Sequence, residues 1–137
     1  WPGVIKPGSK ITQLVQNIDY GPTFLDAAGI EIPAEMQGKS LKPICLDDKA
    51  EWRDAIYYHY YEARTEHNVP RHDGVRTDRY KLINFYDHDG YNLYDLQKDP
   101  NEMKSVHDNP EYAEVLKMMK AKLAEVHKKY DFQKDKK

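Results

Sequence analysis

Gly74-Val75-Arg76-Thr77-Asp78-Arg79-Tyr80-Lys81-Leu82-Ile83-Asn84-Phe85-Tyr86 is followed by Asp87-His88-Asp89-Gly90 and then by Tyr91-Asn92-Leu93-Tyr94-Asp95-Leu96-Gln97-Lys98-Asp99-Pro100-Asn101-Glu102. Residues 80–86 are rich in aromatic and branched side chains, which suit a pleated, partly buried surface. Tyr80 and Leu82 fall on one face and Ile83 and Phe85 on the other, so this strand reads as central in its sheet. Asp89-Gly90 is a turn pair able to take positive φ, and it predicts a hairpin into a strand over 91–96. Asp99-Pro100 ends the sheet, because proline has no N–H for a ladder and restricts the residue before it.

Working outward, a first strand is expected near 55–61, joined by a polar loop over 62–73 to a second strand near 74–77. Asp78-Arg79 makes the tight connection to the third. Pro110 opens the last element, a helix near 110–130. Tyr112, Val115, Leu116, Met119, Leu123, Val126 and Tyr130 follow three- and four-residue steps there, one apolar stripe able to cover a sheet face. The fold class is therefore α+β, an antiparallel sheet of about four strands under a long C-terminal helix.

Upstream, residues 1–8 hold two prolines and two glycines and read as irregular, and 11–15 as a short strand or lead-in. Asp19 is an N-cap candidate, Pro22 fits a first turn and Gly29 stands where a C′ residue belongs, giving a short helix over 19–28. Residues 30–43 form a loop broken by Pro33, Gly38 and Pro43, followed by at most a turn of helix. The charged link over 47–51 divides the chain into 1–48 and 49–137.

Composition narrows the function classes. The 137 residues suit one folded domain, and a net charge of −2 with 32% charged residues lacks the basic face that nucleic-acid binding needs. No apolar run approaches a membrane span and no signal peptide is visible. Cys45 is the one cysteine, which rules out an internal disulfide. Eleven tyrosines supply broad amphipathic contact area, in the sheet or lining a polar cleft. The chain opens on Trp1-Pro2-Gly3 and reads as a piece of a longer protein, with any export signal upstream.

Four segments, in order, resemble the C-terminal region of type I sulfatases of the alkaline phosphatase superfamily. They are Trp1-Pro2-Gly3-Val4-Ile5, Asp19-Tyr20-Gly21-Pro22-Thr23-Phe24-Leu25-Asp26-Ala27-Ala28-Gly29, Val75-Arg76-Thr77-Asp78-Arg79-Tyr80-Lys81-Leu82-Ile83, and Leu93-Tyr94-Asp95-Leu96 with Asp99-Pro100-Asn101-Glu102. Gly38-Lys39-Ser40-Leu41 also resembles a family segment. The resemblance implies that 1–48 is the edge of the α/β catalytic domain and 49–137 the C-terminal subdomain. The parent would hydrolyse sulfate esters, on sulfated small molecules or sugars, with a formylglycine and Ca²⁺, and would be exported (periplasmic, extracellular or lysosomal). The C-terminal part of a phosphonate monoester or phosphodiester hydrolase, and a non-catalytic binding module, stand as alternatives.

The resemblance also implies that this piece is inactive alone. Formylglycine is made within C/S-x-P-x-R, whereas Cys45-Leu46-Asp47-Asp48-Lys49 has neither the proline nor the arginine, so Cys45 reads as a packing residue. No catalytic or metal-binding residue is expected here, and the partner would be the upstream catalytic domain. An apolar surface bared by separation from that domain would favour self-association. What can remain is substrate binding. The loop before the second strand carries Glu62, Arg64, Glu66, His67, Arg71 and His72; Arg71 and His72, next to the sheet, are the candidate contacts to a sugar hydroxyl, carboxylate or sulfate. Solvated loop charges are the competing reading. Asp87-His88-Asp89 reads as a polar turn, and the six histidines show no zinc spacing. Asp95, Asp99 and Glu102 read as turn caps, and Arg76, Arg79 and Lys81 as ion-pair or sheet-covering residues.

Overall fold

Four strands pair antiparallel in chain order: β1 (Ile56–Tyr60), β2 (His72–Arg76), β3 (Tyr80–Phe85) and β4 (Gly90–Asp95). The coordinates are a computed structural model that describes residues 1–62, 68–88 and 90–130. They form two units, Trp1–Asp54 and Ala55–Lys137. In the second unit the register places Tyr57, Val75, Leu82 and Leu93 in one row across the sheet. Val75, Leu82 and Leu93 are fully buried in the core that also holds Met119 and Leu123 of helix α3 (Ala113–Lys129) and Tyr112. Each such apolar side chain taken from water is worth about 1.5–3 kcal/mol, so the stripe foreseen on the helix fixes it to this face. A 3-10 turn over Pro110–Tyr112 leads into α3, capped by the Asn109 side chain accepting from the Glu111 N–H at 3.0 Å.

Three ties close the edges of this unit. Arg79 donates from Nε (3.1 Å) and Nη2 (2.9 Å) to the Asp95 carboxylate, which also accepts from the Tyr112 hydroxyl at 3.2 Å. The Arg79 bonds hold the Asp95 carboxyl below the ordinary range. Lys81 pairs with Glu102 at 2.5 Å, and Asp99 accepts the Lys104 N–H at 2.8 Å. So these acidic residues do stabilise turns and ion pairs.

Two strand details differ from expectation. β2 begins at His72 rather than Gly74, so His72 is a strand residue paired with Tyr60 and Phe85. Gly90 opens β4 instead of standing in the turn before it, and a Cβ on it would lie 2.9 Å from the His88 carbonyl oxygen. Asp89, Arg64, Glu66, His67 and residues 131–137 lie outside the described residues.

In the first unit a 3-10 turn over Asn17–Asp19 runs into α1 (Tyr20–Ala27), and α2 spans Lys42–Leu46. Gly29 has φ +71° and closes α1 with paired bonds, Gly29 N–H to the Asp26 carbonyl and Ile30 N–H to the Leu25 carbonyl. Asp19 does not cap α1 with its side chain. Its fully buried carboxylate accepts from the Gln16 N–H (2.8 Å), the Lys39 N–H (2.9 Å) and both terminal nitrogens of Arg53 (2.7 and 2.6 Å). Residues 11–15 take no regular structure; the Leu14 carbonyl is bonded by the Trp52 indole N–H at 2.7 Å instead of by a strand. Tyr20 and Phe24 leave an apolar side of α1 exposed.

Candidate functional site

Arg71 and His72 stand where the chain re-enters the sheet. On the sheet face away from α3, the register aligns Tyr60, His72, Phe85 and Gly90. His72 stacks on Tyr60 (5.5 Å between ring centroids, 21°) and leans on Phe85 (5.7 Å, 52°), and His88 stacks on Phe85 (4.9 Å, 21°). The glycine at the fourth position makes room for His88, since a Cβ there would approach its ring to 3.1 Å. The result is a four-ring ladder across the end of the sheet.

His72 Nδ1 lies 2.8 Å from the Pro70 carbonyl oxygen. A carbonyl only accepts, so Nδ1 carries the proton and Nε2 is the acceptor of the neutral ring or a second donor of the protonated one. Arg71 is oriented from the opposite side of the corner. Its Nε (3.3 Å) and Nη2 (2.9 Å) donate to Asp87 Oδ1, and its carbonyl accepts the Tyr86 N–H at 3.0 Å. One edge of the guanidinium fork is thus engaged by a carboxylate within the turn, and an anionic ligand would meet the outer edge of the fork. The two residues singled out from the sequence are each held in place, Arg71 by a carboxylate and His72 by a carbonyl. Tyr60, Phe85 and His88 were not singled out; the strand alternation that puts Tyr60 and Phe85 on the face of His72 was the available signal for those two.

The other face of the same corner is polar and closed. Asp73 is fully buried, and its carboxylate accepts from Tyr57 Oη (3.2 Å), Asn84 Nδ2 (3.0 Å) and His127 Nε2. Tyr57 stacks on Tyr130 and meets His127 edge-on. Burial, and then the Asp73 charge, push the Tyr57 and Tyr86 hydroxyls well above their usual range. No local pattern marks this cluster, because Asp73 and His127 lie 54 positions apart.

Cys45 sits in α2, half-buried, on a cleft of about 390 Å³ in the first unit that also presents Lys6, Lys10, Asp47 and Asp48. Among the described residues no three His, Cys, Asp or Glu side chains converge as a metal site. None of their helices is long and apolar enough to cross a membrane.

The four-stranded sheet under a C-terminal helix is that of a sulfatase C-terminal domain: the chain belongs to the N-sulphoglucosamine sulphohydrolase C-terminal family, which it matches over residues 1–129. It is 46% identical to an N-acetylglucosamine-6-O-sulfatase of Bacteroides thetaiotaomicron over 95% of its length, and 31% identical to a Δ4,5-hexuronate-2-O-sulfatase of the same organism over 84%. The chain spans about a quarter of each relative, 24% in both cases. A solved enzyme in complex with its substrate D-glucosamine-2-N,6-O-disulfate superposes with a TM-score of 0.91 at 45% identity, over 96% of this chain and 27% of that one. A phosphonate monoester hydrolase from Silicibacter pomeroyi shares the fold, with a TM-score of 0.78 at 24% identity over 93% of this chain and 28% of that one.

Proposed function

We propose that this chain is the C-terminal region of a sulfatase that hydrolyses sulfate esters on sulfated carbohydrates, and that Arg71 and His72 contact the substrate. The observation that carries the proposal is the 46% identity, over 95% of the chain, to an enzyme that acts on 6-O-sulfated N-acetylglucosamine. The phosphonate hydrolase is alike at 24% identity, a level that speaks of fold alone. Residues 1–48 are read as the edge of the catalytic domain and 49–137 as the subdomain that follows it.

The formylglycine and Ca²⁺ of this enzyme class do not fit the residues present. Cys45 lies in Cys45-Leu46-Asp47-Asp48-Lys49 without the motif's proline and arginine, and the described residues gather no oxygen-rich donor set. Both groups are assigned to the rest of the protein. What this chain contributes is recognition. Arg71, steadied by Asp87, offers N–H donors to a sulfate or carboxylate, and His72 Nε2 accepts from a sugar hydroxyl or, protonated, donates to an anion. Such a charge-assisted bond is worth about 1.5–3 kcal/mol, or roughly ten- to a hundredfold in binding.

Sulfate release from N-acetylglucosamine-6-sulfate by the full-length protein tests the proposal, with a phosphonate monoester as the competing substrate. Arg71→Ala and His72→Ala are each expected to raise KM by about tenfold or more. Preferential turnover of the phosphonate would overturn the sulfatase reading, and unchanged KM in both variants would remove Arg71 and His72 from the site.

A further inference from the structure

We infer that His127 is a positioning residue for the Arg71–His72 corner, acting through Asp73 from the far face of the sheet. The inference rests on the substrate-binding reading of Arg71 and His72. Asp73 follows His72 directly, and in a strand successive side chains point to opposite faces. So the imidazole of His72 and the carboxylate of Asp73 share one stretch of backbone, and fixing one restricts the other.

Asp73 receives donors from every neighbour of β2, among them Tyr57 on β1, Asn84 on β3 and His127 on α3, and the Tyr86 hydroxyl also faces it. Beyond His72 the chain runs directly into the Arg71–Asp87 clamp, so the Asp73 knot is what anchors the corner from the core side. His127 is the donor among the three that comes from outside the sheet. It stands one turn beyond Leu123, the last buried stripe residue of α3, and shields the carboxylate with its ring against Tyr57. Removing it leaves a buried carboxylate with one donor fewer, and such a group pulls toward water. Movement of Asp73 toward the helix end would drag the β2 backbone and turn His72 off its ladder. Misplacement of a contact by about 1 Å can cost up to a hundredfold in the step it serves.

The test compares His127→Ala, His127→Gln and Asp73→Asn in the full-length protein, at a temperature where each stays folded by circular dichroism. Gln carries an amide N–H close to the place of the imidazole Nε2, so it keeps the bond to Asp73. His127→Ala is expected to raise KM for the sulfated sugar roughly tenfold with little change in kcat, and His127→Gln to restore most of it. Asp73→Asn, which keeps one acceptor and loses the charge, is expected to fall between them. A role confined to stability would lower the amount of active enzyme and leave KM alone. If KM is unchanged in His127→Ala while Arg71→Ala and His72→Ala raise it, the positioning role is overturned and the site reading stands. If all of these variants keep the parent KM, the site reading falls and takes the positioning role with it.

Discussion

Replacement of Arg53 by Ala should be among the most damaging single changes in the first unit. The Arg53 guanidinium meets the Asp19 carboxylate with two bonds, at 2.7 and 2.6 Å, where Asp19 is fully buried and the Arg53 side chain only 13% exposed. Removing the cation leaves a buried carboxylate with two backbone N–H donors. Breaking a buried pair on one side costs about 3–5 kcal/mol, a large part of a total stability of about 5–15 kcal/mol. Trp1 and Trp52 both belong to this unit, and Arg53 lies over the Trp52 ring at 4.8 Å, so urea unfolding followed by tryptophan fluorescence reads the loss directly.

The pH dependence supplies a second check on the same variant. Burial by itself would raise the Asp19 carboxyl, but the Arg53 bonds and the Lys39 and Gln16 N–H groups outweigh it and hold the group below the ordinary value of 3.8. With the folded pKa depressed, the stabilisation is fully present above the unfolded value and is lost as pH falls through the folded one. In Arg53→Ala the opposing burial effect is left in charge, so protonation relieves the penalty. The gap between parent and variant should be widest near neutrality and narrow below about pH 4. Arg53→Met with Asp19→Asn should regain part of the loss, since the charge is gone and one acceptor is kept. A loss under about 1 kcal/mol at neutral pH, or a gap that does not change with pH, would refute the reasoning.

Two further perturbations separate packing from surface. Gly74→Ala should destabilise the sheet, because a Cβ there would lie 2.4 Å from the Leu82 carbonyl oxygen and 2.3 Å from the Tyr58 hydroxyl; overpacking of this kind costs about 1–3 kcal/mol or more, read as a lowered denaturation midpoint, and unchanged stability would mean that the Tyr58 ring does not rest on β2. Met119→Ala should cost about 2–5 kcal/mol whereas Met118→Ala should stay within about 0.5 kcal/mol, since Met119 is fully buried and Met118 is 46% exposed; equal effects would place the helix stripe one residue out.

How legible these features were depends on the physical signal each carried. β3, β4 and α3 have period-two or three-to-four-residue apolar patterns, and Gly29 sits where a positive φ was needed, so sequence alone located them. β2 was half legible. His72-Asp73 reads as loop because Asp is a poor strand residue, yet Asp73 is there for a tertiary reason. Asp73 takes donors from three neighbouring elements, and Gly74 leaves space for Tyr58. Local propensity was overridden by contacts that propensity cannot express. Asp19 failed in the same manner: an aspartate before a helix has the look of a cap, and its partner Arg53 is 34 positions away.

Arg71 and His72 stood out because their types suit anion and hydroxyl recognition at the mouth of a loop. What holds them came from residues with no such mark, Asp87 in a turn, Pro70 through its carbonyl, and Phe85 and Tyr60 through the ladder. A recognition group on a loop must be ordered when ligand binds, at a cost of about 0.5–1.5 kcal/mol for each side chain immobilised. His72 is already within a strand, stacked and bonded at Nδ1, so that cost is met in folding, and β2 starting at His72 rather than Gly74 is what makes the difference. On the proposed reading that His72 contacts substrate, loosening the ladder with Phe85→Ala should raise KM for the sulfated sugar in the full-length protein even though Phe85 itself offers the substrate no polar group, and an unchanged KM would mean that the ladder does not hold His72 for binding.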